Sequence, residues 1–288
     1  MTVPSLSTRS GKMSDEPKKP REESDLASQF FVEAAERAYV SAQRDSAGAS
    51  GPRRFYKTVS VGEAEGGYSV LLDGRPVNTP ARRRVVVPPR ELAEAMAAEW
   101  AEQGETINPA TMPLTKLVNS TIDGVARQMA EVESELVKYA GSDLICYRAG
   151  EPESLVAAQS AAWDPLLAFA RDRLGARLSL AEGVMFAAQS EAALAAIAAA
   201  VRGYVGEGPS APFRLSSLHV MTTLTGSLMV GIATALGELK VDDAWAAAHV
   251  DEDFQMRAWG ADAEALARRE ARLVEMRAAA FLSETVNK

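Results

Sequence analysis

One short acidic stretch holds the residue types that could do chemistry. Residues 251–253 read Asp-Glu-Asp and begin two residues after His249. Carboxylates and imidazoles serve as general acids and bases and as metal ligands. On a helix, however, Asp251 and Asp253 point to opposite flanks, so the three acids do not converge. A metal would need a third ligand from elsewhere, and the only other histidine is His219. The pattern therefore disfavours a metal centre and favours a core role for His249.

Glu252 has two open interpretations. Helical spacing places it on one face with several mostly apolar neighbours, namely Trp245, Ala248, His249, Met256 and Trp259. A carboxylate among apolar side chains is costly unless it is paired. The partner is either internal (Arg214, Arg257 or a helix N-terminus) or a basic group or backbone donors on a second protein. Aromatic residues beside an anchored charge are typical of interface hot spots.

The stretch LLDGRPVNTP (71–80) predicts a β-hairpin. Asp73-Gly74 between two extended runs indicates a type I′ turn, because glycine tolerates a positive φ. Pro76 lacks an N–H donor, which indicates an edge strand. Arg75 is then either a solvated turn residue or a group offered, with the sheet edge, to a partner protein.

Patterns typical of enzymes are scarce in this sequence. It contains no Walker or Rossmann phosphate loop, no GxSxG and no HExxH. Cys146 lies in the apolar run LICY, which predicts a buried, inert thiol. The run Arg82-Arg83-Arg84 lacks interleaved aromatic residues, so it predicts a solvated face. The net charge of -8 also disfavours binding to nucleic acid.

The location of the protein is predicted from its cysteine content and its apolar stretches. A single cysteine excludes an internal disulfide and indicates a reducing compartment. The first 25 residues lack the pattern of a signal peptide, and the stretch 224–236 is too short to span a bilayer. We expect no membrane insertion, and a cytoplasmic location in a bacterium or a mitochondrial matrix location in a eukaryote.

The elements that would position these residues divide the chain into three regions. Residues 1–52 are predicted to form a disordered or partly helical N-terminal extension, because residues 1–25 are rich in serine, proline, lysine and glutamate. Alternating β-branched and aromatic residues predict an antiparallel sheet over 53–88, so 53–113 forms a β-rich domain with one helix that begins near Arg90. The apolar periodicity of residues 114–288 predicts a helical domain. The expected fold class is α+β, with a small antiparallel β-rich N-terminal domain followed by a larger all-helical C-terminal domain.

Apolar periodicity gives the bounds of the helices in the third region. Two short stretches, 143–148 and 176–184, are predicted to be extended instead. The predicted helices span 114–125, 128–140, 153–174, 190–205, 214–236, 242–258 and 261–282.

Six stretches carry a family resemblance: RRFYKTVSV (53–61), LDGRPVNTP (72–80), LAEAMAAEWAEQGETINPATMPLTKL (92–117), SDLICYRA (142–149), SSLHVMTTLTGSLMVGIA (216–233) and AWAAAHVDEDFQMRAWGADAEA (244–265). Together they resemble the assembly chaperone that binds the α subunit of the catalytic sector of the F-type ATP synthase in mitochondria and alphaproteobacteria. The resemblance covers most of residues 53–270. Phe254 stands where many relatives have tryptophan, an exchange of one aromatic residue for another.

The resemblance implies a protein that is not an enzyme and needs no cofactor or metal. It would hold an unassembled α subunit, shield the surface that later faces a β subunit, and leave when the hexamer forms. We expect it to be monomeric when free. Residues that match the family's acidic motif, together with the hairpin arginine, are the expected partner contacts: Asp251, Glu252, Gln255, Trp259, Asp262 and Arg75.

The residues alone also leave an alternative of another class. An enzyme or small-ligand binder could place its site between the two domains, where pockets are common. His249, Glu252 and Arg75 would then converge in one cleft.

Overall fold

The computed structural model describes residues 52–183 and 185–288, so the predicted N-terminal extension lies outside the described residues except for Pro52. We number the elements along the described chain as β1 (Val59–Ala64), β2 (Gly67–Leu72), β3 (Arg75–Pro76), α1 (Arg90–Ala101), α2 (Pro113–Asp123), α3 (Met129–Ala140), β4 (Tyr147–Arg148), α4 (Glu153–Arg173), β5 (Ala181–Glu182), α5 (Glu191–Val205), α6 (Ala211–Thr225), α7 (Leu228–Ala235), α8 (Val241–Ala248), α9 (Val250–Trp259) and α10 (Ala263–Asn287). A small antiparallel sheet precedes the helices, which confirms the predicted α+β class.

The hairpin turn has the predicted geometry. Strands β1, β2 and β3 are antiparallel neighbours in that order, and Leu72 faces Arg75 across a two-residue loop. Both loop residues have positive φ, 48° at Asp73 and 78° at Gly74, which confirms the type I′ prediction. The Asp73 carboxylate accepts hydrogen bonds from the backbone N–H groups of Lys57 (3.0 Å) and Thr58 (2.8 Å). The turn aspartate therefore also fixes the chain that enters β1.

The regular ladder of the sheet is shorter than predicted. Within the described residues it begins only at Val59, and residues 82–87 contribute isolated bridges at Arg84 and Val87. Arg82 has a φ of 62°, a left-handed conformation that interrupts an extended strand. Pro88 and the residue after it then end the extended segment before α1.

The loop between α1 and α2 is held by polar side chains of α1 and of the residues just after it. The Glu99 carboxylate accepts from the backbone N–H groups of Leu114 (2.7 Å) and Thr115 (2.8 Å), the first turn of α2. The Gln103 side chain accepts from the N–H of Asn108 at 2.7 Å. The N-cap residue of α2 makes no side-chain hydrogen bond to the start of that helix, so Glu99 of α1 acts as the cap. The residues that carry the resemblance in this run therefore have a structural role.

Helix α6 is the centre of the helical part. Its largest fully buried side chains, together with those of α7 and α10, form one apolar core, for example Leu215, Leu218, Met221, Leu228, Ile232 and Leu282. Helix α10 packs along α6 and reaches α2, and at its end Lys288 Nζ lies 3.2 Å from the Glu91 carboxylate on α1. Cys146 is buried as predicted, and burial raises the pKa of its thiol to about 12.

The prediction of one helix over 214–236 is wrong. Helix α6 ends before Gly226, whose φ of 68° is left-handed, and α7 begins after Ser227. The Ser227 hydroxyl accepts from the N–H of Val230 at 3.1 Å and caps α7. The buried Asp143 carboxylate accepts from the N–H of Met229 at 3.0 Å, which holds the same helix start. Two acceptors at one N-terminus make the break stable.

Candidate partner-binding site

The helix that carries the acidic stretch is separate from the helix before it, so the prediction of a single helix over 242–258 is wrong. Helix α8 ends at Ala248 and α9 begins at Val250. Between them His249 has φ -118° and ψ 22°, outside the helical region. The break turns α9 away from the axis of α8 and separates the face that the sequence pattern predicts.

His249 is a core residue, as predicted. Its ring is buried against Trp245, with ring centroids 4.1 Å apart. Its Nδ1 lies 2.7 Å from the carbonyl oxygen of Trp245. Burial lowers the pKa of His249 below its ordinary value, so the ring is neutral at neutral pH. The imidazole thus has a packing role at the corner between α8 and α9.

One hydrogen bond and one ion pair hold α9 against its neighbours. The Asp251 carboxylate accepts from Gln159 Nε2 of α4 at 2.7 Å. On the other flank, Asp253 pairs with Arg269 of α10. The two acids therefore point to opposite flanks, which confirms the prediction. Helix α9 buries none of its own residues, so these ties do much to position it.

The exposed face of α9 consists of Glu252, Gln255 and Trp259, spaced three and four residues apart. Trp259 is 87% exposed and the Glu252 side chain is 63% exposed. The prediction that Glu252 lies among apolar side chains is wrong, because the break at His249 removes Trp245 from its face. The nearest ionisable group is His249 Nε2, 3.8 Å from the Glu252 carboxylate.

The two arginines predicted as internal partners of Glu252 donate to other groups. Arg214 donates to the carbonyl oxygen of Val205 at 2.6 Å, and Arg257 donates to that of Asp253 at 3.1 Å. Glu252 does lie in the first turn of α9, where the helix dipole favours a carboxylate. Its charge is therefore available to a second protein.

Asp262 and Arg75 lie at different places in the fold. Asp262 is exposed and caps α10, since its carboxylate accepts from the N–H of Ala265 at 2.7 Å. Gly260, with a φ of 89°, forms the turn between α9 and α10. Arg75 is exposed on β3, an edge strand of the three-stranded sheet within the described residues. Glu252, Gln255 and Trp259 thus share one helix, Asp262 caps the next helix, and Arg75 lies on the sheet.

An apolar groove borders α9, and the sequence reasoning missed it. Its volume is about 960 Å³, and it lies between α4, α8, α9 and the start of α10. The larger apolar side chains on its walls are Leu166, Phe169, Leu239, Val250, Met256 and Leu266. The signal in the sequence is the small residues of α4 at helical spacing, beginning with Ala158 and Ala162, which leave space between packed helices.

The arrangement expected of an enzyme or small-ligand site is not seen in the part of the chain that the structure describes. No hydrogen bond or ion pair there joins Arg75 to His249 or Glu252, and the groove is lined by residues of 158–266 alone. Across residues 52–183 and 185–288 no cluster of three or more histidine, cysteine or acidic side chains could hold a metal ion. Over the same residues no helix is long and apolar enough to cross a membrane.

Comparison with known proteins identifies the family. The ATP12 chaperone protein family matches residues 53–171. The mitochondrial protein atp12 of Schizosaccharomyces pombe is 30% identical over 140 residues, which are 46% of this chain and 48% of that protein. This chain therefore spans about half the length of that curated relative.

Two solved bacterial structures are similar over most of their length. A putative chaperone from Agrobacterium tumefaciens is 47% identical, with a TM-score of 0.77, over 81% of this chain and 86% of that one. Atp12 from Paracoccus denitrificans is 40% identical, with a TM-score of 0.75, over 82% of this chain and 98% of that one. With this identity, coverage and common fold, the chain belongs to the ATP12 chaperone family.

Proposed function

We propose that this protein is an assembly chaperone of the F-type ATP synthase that binds the unassembled α subunit of the catalytic sector. It shields the surface that later faces a β subunit and is displaced when the hexamer forms. Membership of the ATP12 chaperone family supports a chaperone role. The observation that carries a binding role is the exposed face of α9, where a nearly free tryptophan lies one helical turn from Gln255 and two from Glu252.

The physical need for such a chaperone follows from the nature of obligate interfaces. A subunit built for a permanent complex exposes a large apolar patch while it is alone, and such patches aggregate. The shield must also be displaced later. A polar surface with a few aromatic and charged anchors suits that requirement better than a wide apolar one.

The proposed contacts differ in how they would act. Glu252, Gln255 and Trp259 would touch the partner directly, and Asp262 would extend the same surface. Asp251 would position α9 through Gln159 as well as add charge to the surface. We also propose Arg75, at the sheet edge, as a contact. The site of action would be wherever the α subunit folds, the cytoplasm of a bacterium or the matrix of a mitochondrion.

The test compares binding to three candidate partners. Purified full-length chain is mixed with isolated α subunit, isolated β subunit or the assembled hexamer of the same organism, and complexes are measured by size exclusion with light scattering. We expect a complex with isolated α alone, and suppression of α aggregation at one equivalent. Equal capture of β, or no effect on α, would contradict the proposal.

A further inference from the structure

Hydrogen bonds join the helices that form the groove beside α9. Trp163 Nε1 of α4 donates to the carbonyl oxygen of Ala247 on α8 at 2.7 Å, and Gln159 of α4 donates to Asp251 on α9. These bonds join α4 to both α8 and α9. Along α4 the lining runs from Ala158 to Phe169, three helical turns or about 16 Å. A preformed groove of this length needs little ordering when it binds a ligand.

The charges at the groove favour a cationic ligand. Its lining includes Glu238, Asp243 and Asp253 but only one cation, Arg257. Glu238 and Asp253 are paired internally, with Arg173 and Arg269 respectively. Within the described residues the Asp243 side chain has no hydrogen bond or ion pair, and Arg257 donates only to a backbone carbonyl oxygen, so these two charges offset one another. Helix α9 also carries the exposed charge of Glu252 and the charge of Asp251, whose partner Gln159 is neutral. The uncompensated charge around the opening is therefore negative.

A backbone acceptor adds to this preference. Pro165 lies inside α4 and has no N–H, so the carbonyl oxygen of Ala161 has no donor from its own helix. Both residues line the groove. A lysine or arginine side chain that enters the groove beside α4 can donate to this carbonyl group.

The conformation of the ligand follows from the apolar walls. The lining consists of helices and the segments that join them, and no strand contributes to it. An extended peptide would bury backbone N–H and C=O groups there without partners, whereas a helix satisfies its backbone internally. We propose that the groove binds an amphipathic helix with an apolar face and lysine or arginine at its edges. The inference rests on the proposed function in that this helix belongs to the bound subunit.

The experiment uses two designed 18-residue helical peptides labelled with fluorescein. They share a leucine face and differ in the polar face, which is lysine in one and glutamate in the other. Fluorescence anisotropy with the full chain at 150 mM salt should show the lysine peptide binding at least tenfold more tightly. Ala161→Trp places a bulky ring at the groove and should weaken that binding at least tenfold. The matched control Ala195→Trp changes another exposed alanine, on α5 and outside the groove lining, and should leave binding within twofold.

The proposal fails if the two peptides bind equally tightly, or if the two tryptophan variants lose the same affinity. It also fails if the groove is occupied by a second copy of the chain or by the chain's own N-terminal residues. A second copy is indicated if the peptide-free chain is a dimer that Ala161→Trp dissociates. The N-terminal residues are indicated if the double variant Phe30→Ser, Phe31→Ser binds the lysine peptide at least tenfold more tightly. Thermal unfolding of each variant checks that it is folded.

The subunit assay separates this inference from the proposed function. If Ala161→Trp binds isolated α subunit as tightly as the unchanged chain does, the groove inference fails and the proposed function stands. If the chain does not bind the α subunit while the peptide results hold, the proposed function fails and the groove remains a helix-binding site.

Discussion

Three consecutive acids of α9 have different roles. Asp251 and Asp253 face the neighbouring helices and hold α9 in place, whereas Glu252 faces solvent. Successive residues on a helix are about 100° apart, so one triplet can serve two flanks and one outer face. Substitutions at these adjacent positions should therefore separate the positioning of the helix from the contact with the partner.

The first prediction concerns Glu252→Lys. It should weaken binding of isolated α subunit at least tenfold, because it replaces an exposed charge at the proposed contact with its opposite. It should lower the free energy of unfolding by only about 1 kcal/mol, the size of a helix-dipole interaction at an exposed position in the first turn. The matched control is Glu191→Lys, another exposed acid in the first turn of a helix. Equal weakening by both variants would show a general charge effect in place of a contact.

The second prediction concerns Trp259→Ala. A tryptophan anchor that becomes buried in a complex contributes about 2 kcal/mol or more, so the dissociation constant for the α subunit should rise roughly thirtyfold. Titration calorimetry measures this change. Phe186→Ala is the control, since Phe186 is an aromatic side chain with 70% exposure between β5 and α5, outside the proposed contacts. Unchanged affinity in Trp259→Ala would remove this residue from the proposed surface.

Some of these residue roles could be predicted from the sequence and others could not. The turn at Asp73-Gly74 depends on local φ preferences, and the divergence of Asp251 from Asp253 depends on helix geometry. The environment of Glu252 depends on a break one turn earlier, at His249. That break is stabilised by ring packing on Trp245, a contact that apolar periodicity does not reveal.

At the scale of elements, helix starts that depend on distant acceptors are the sensitive points. Helix α2 is capped by Glu99 from α1, and burial raises the pKa of that carboxyl group above its ordinary value. The third prediction is that Glu99→Ala lowers the free energy of unfolding by about 1–3 kcal/mol, because it leaves buried N–H groups without an acceptor. Urea denaturation measures this loss. The folded variant should keep its affinity for the α subunit, and a loss of affinity at full stability would instead make Glu99 a contact.

The fourth prediction concerns Asp143, whose carboxyl group holds the start of α7. Burial raises the pKa of Asp143 to about 6, from an ordinary value of 3.8. Its stabilising contribution is therefore fully present below about pH 4 and is lost as the pH rises through 6. Relative to Asp143→Asn, the unchanged chain should gain about 2–3 kcal/mol of unfolding free energy between pH 7.5 and pH 4. Urea denaturation at several pH values measures the difference, and a constant difference would contradict the assignment.

Helices with regular apolar periodicity could be predicted from the sequence, whereas the breaks between consecutive helices could not. The prediction of 153–174 differs by one residue from α4, whose apolar positions repeat regularly. The break at Gly226 depends on a residue far along the chain, Asp143, which holds the start of α7. The break at His249 depends on the packing of its ring against Trp245. The groove was unpredictable for the same reason, because four separate segments form its walls. The domain boundary near residue 113 stays a prediction.

At the scale of the whole molecule, the net charge of -8 bears on how fast a partner is found. An acidic surface steers a basic partner only when ions do not screen it. The fifth prediction is that raising NaCl from 50 to 500 mM slows association with the α subunit roughly tenfold and changes dissociation little. Stopped-flow fluorescence measures both rates. Glu252→Lys should show a shallower salt dependence, and an association rate that ignores salt would exclude steering.

The outward position of α9 has a consequence for the handover of a bound protein. The helix contributes no buried side chain, and two polar ties help to fasten it to its neighbours. Loosening such an element costs far less than unfolding the molecule, because the core around α6 stays closed. An incoming β subunit would then need to displace only this short segment to free its assembly partner, and the chaperone could close again for another cycle.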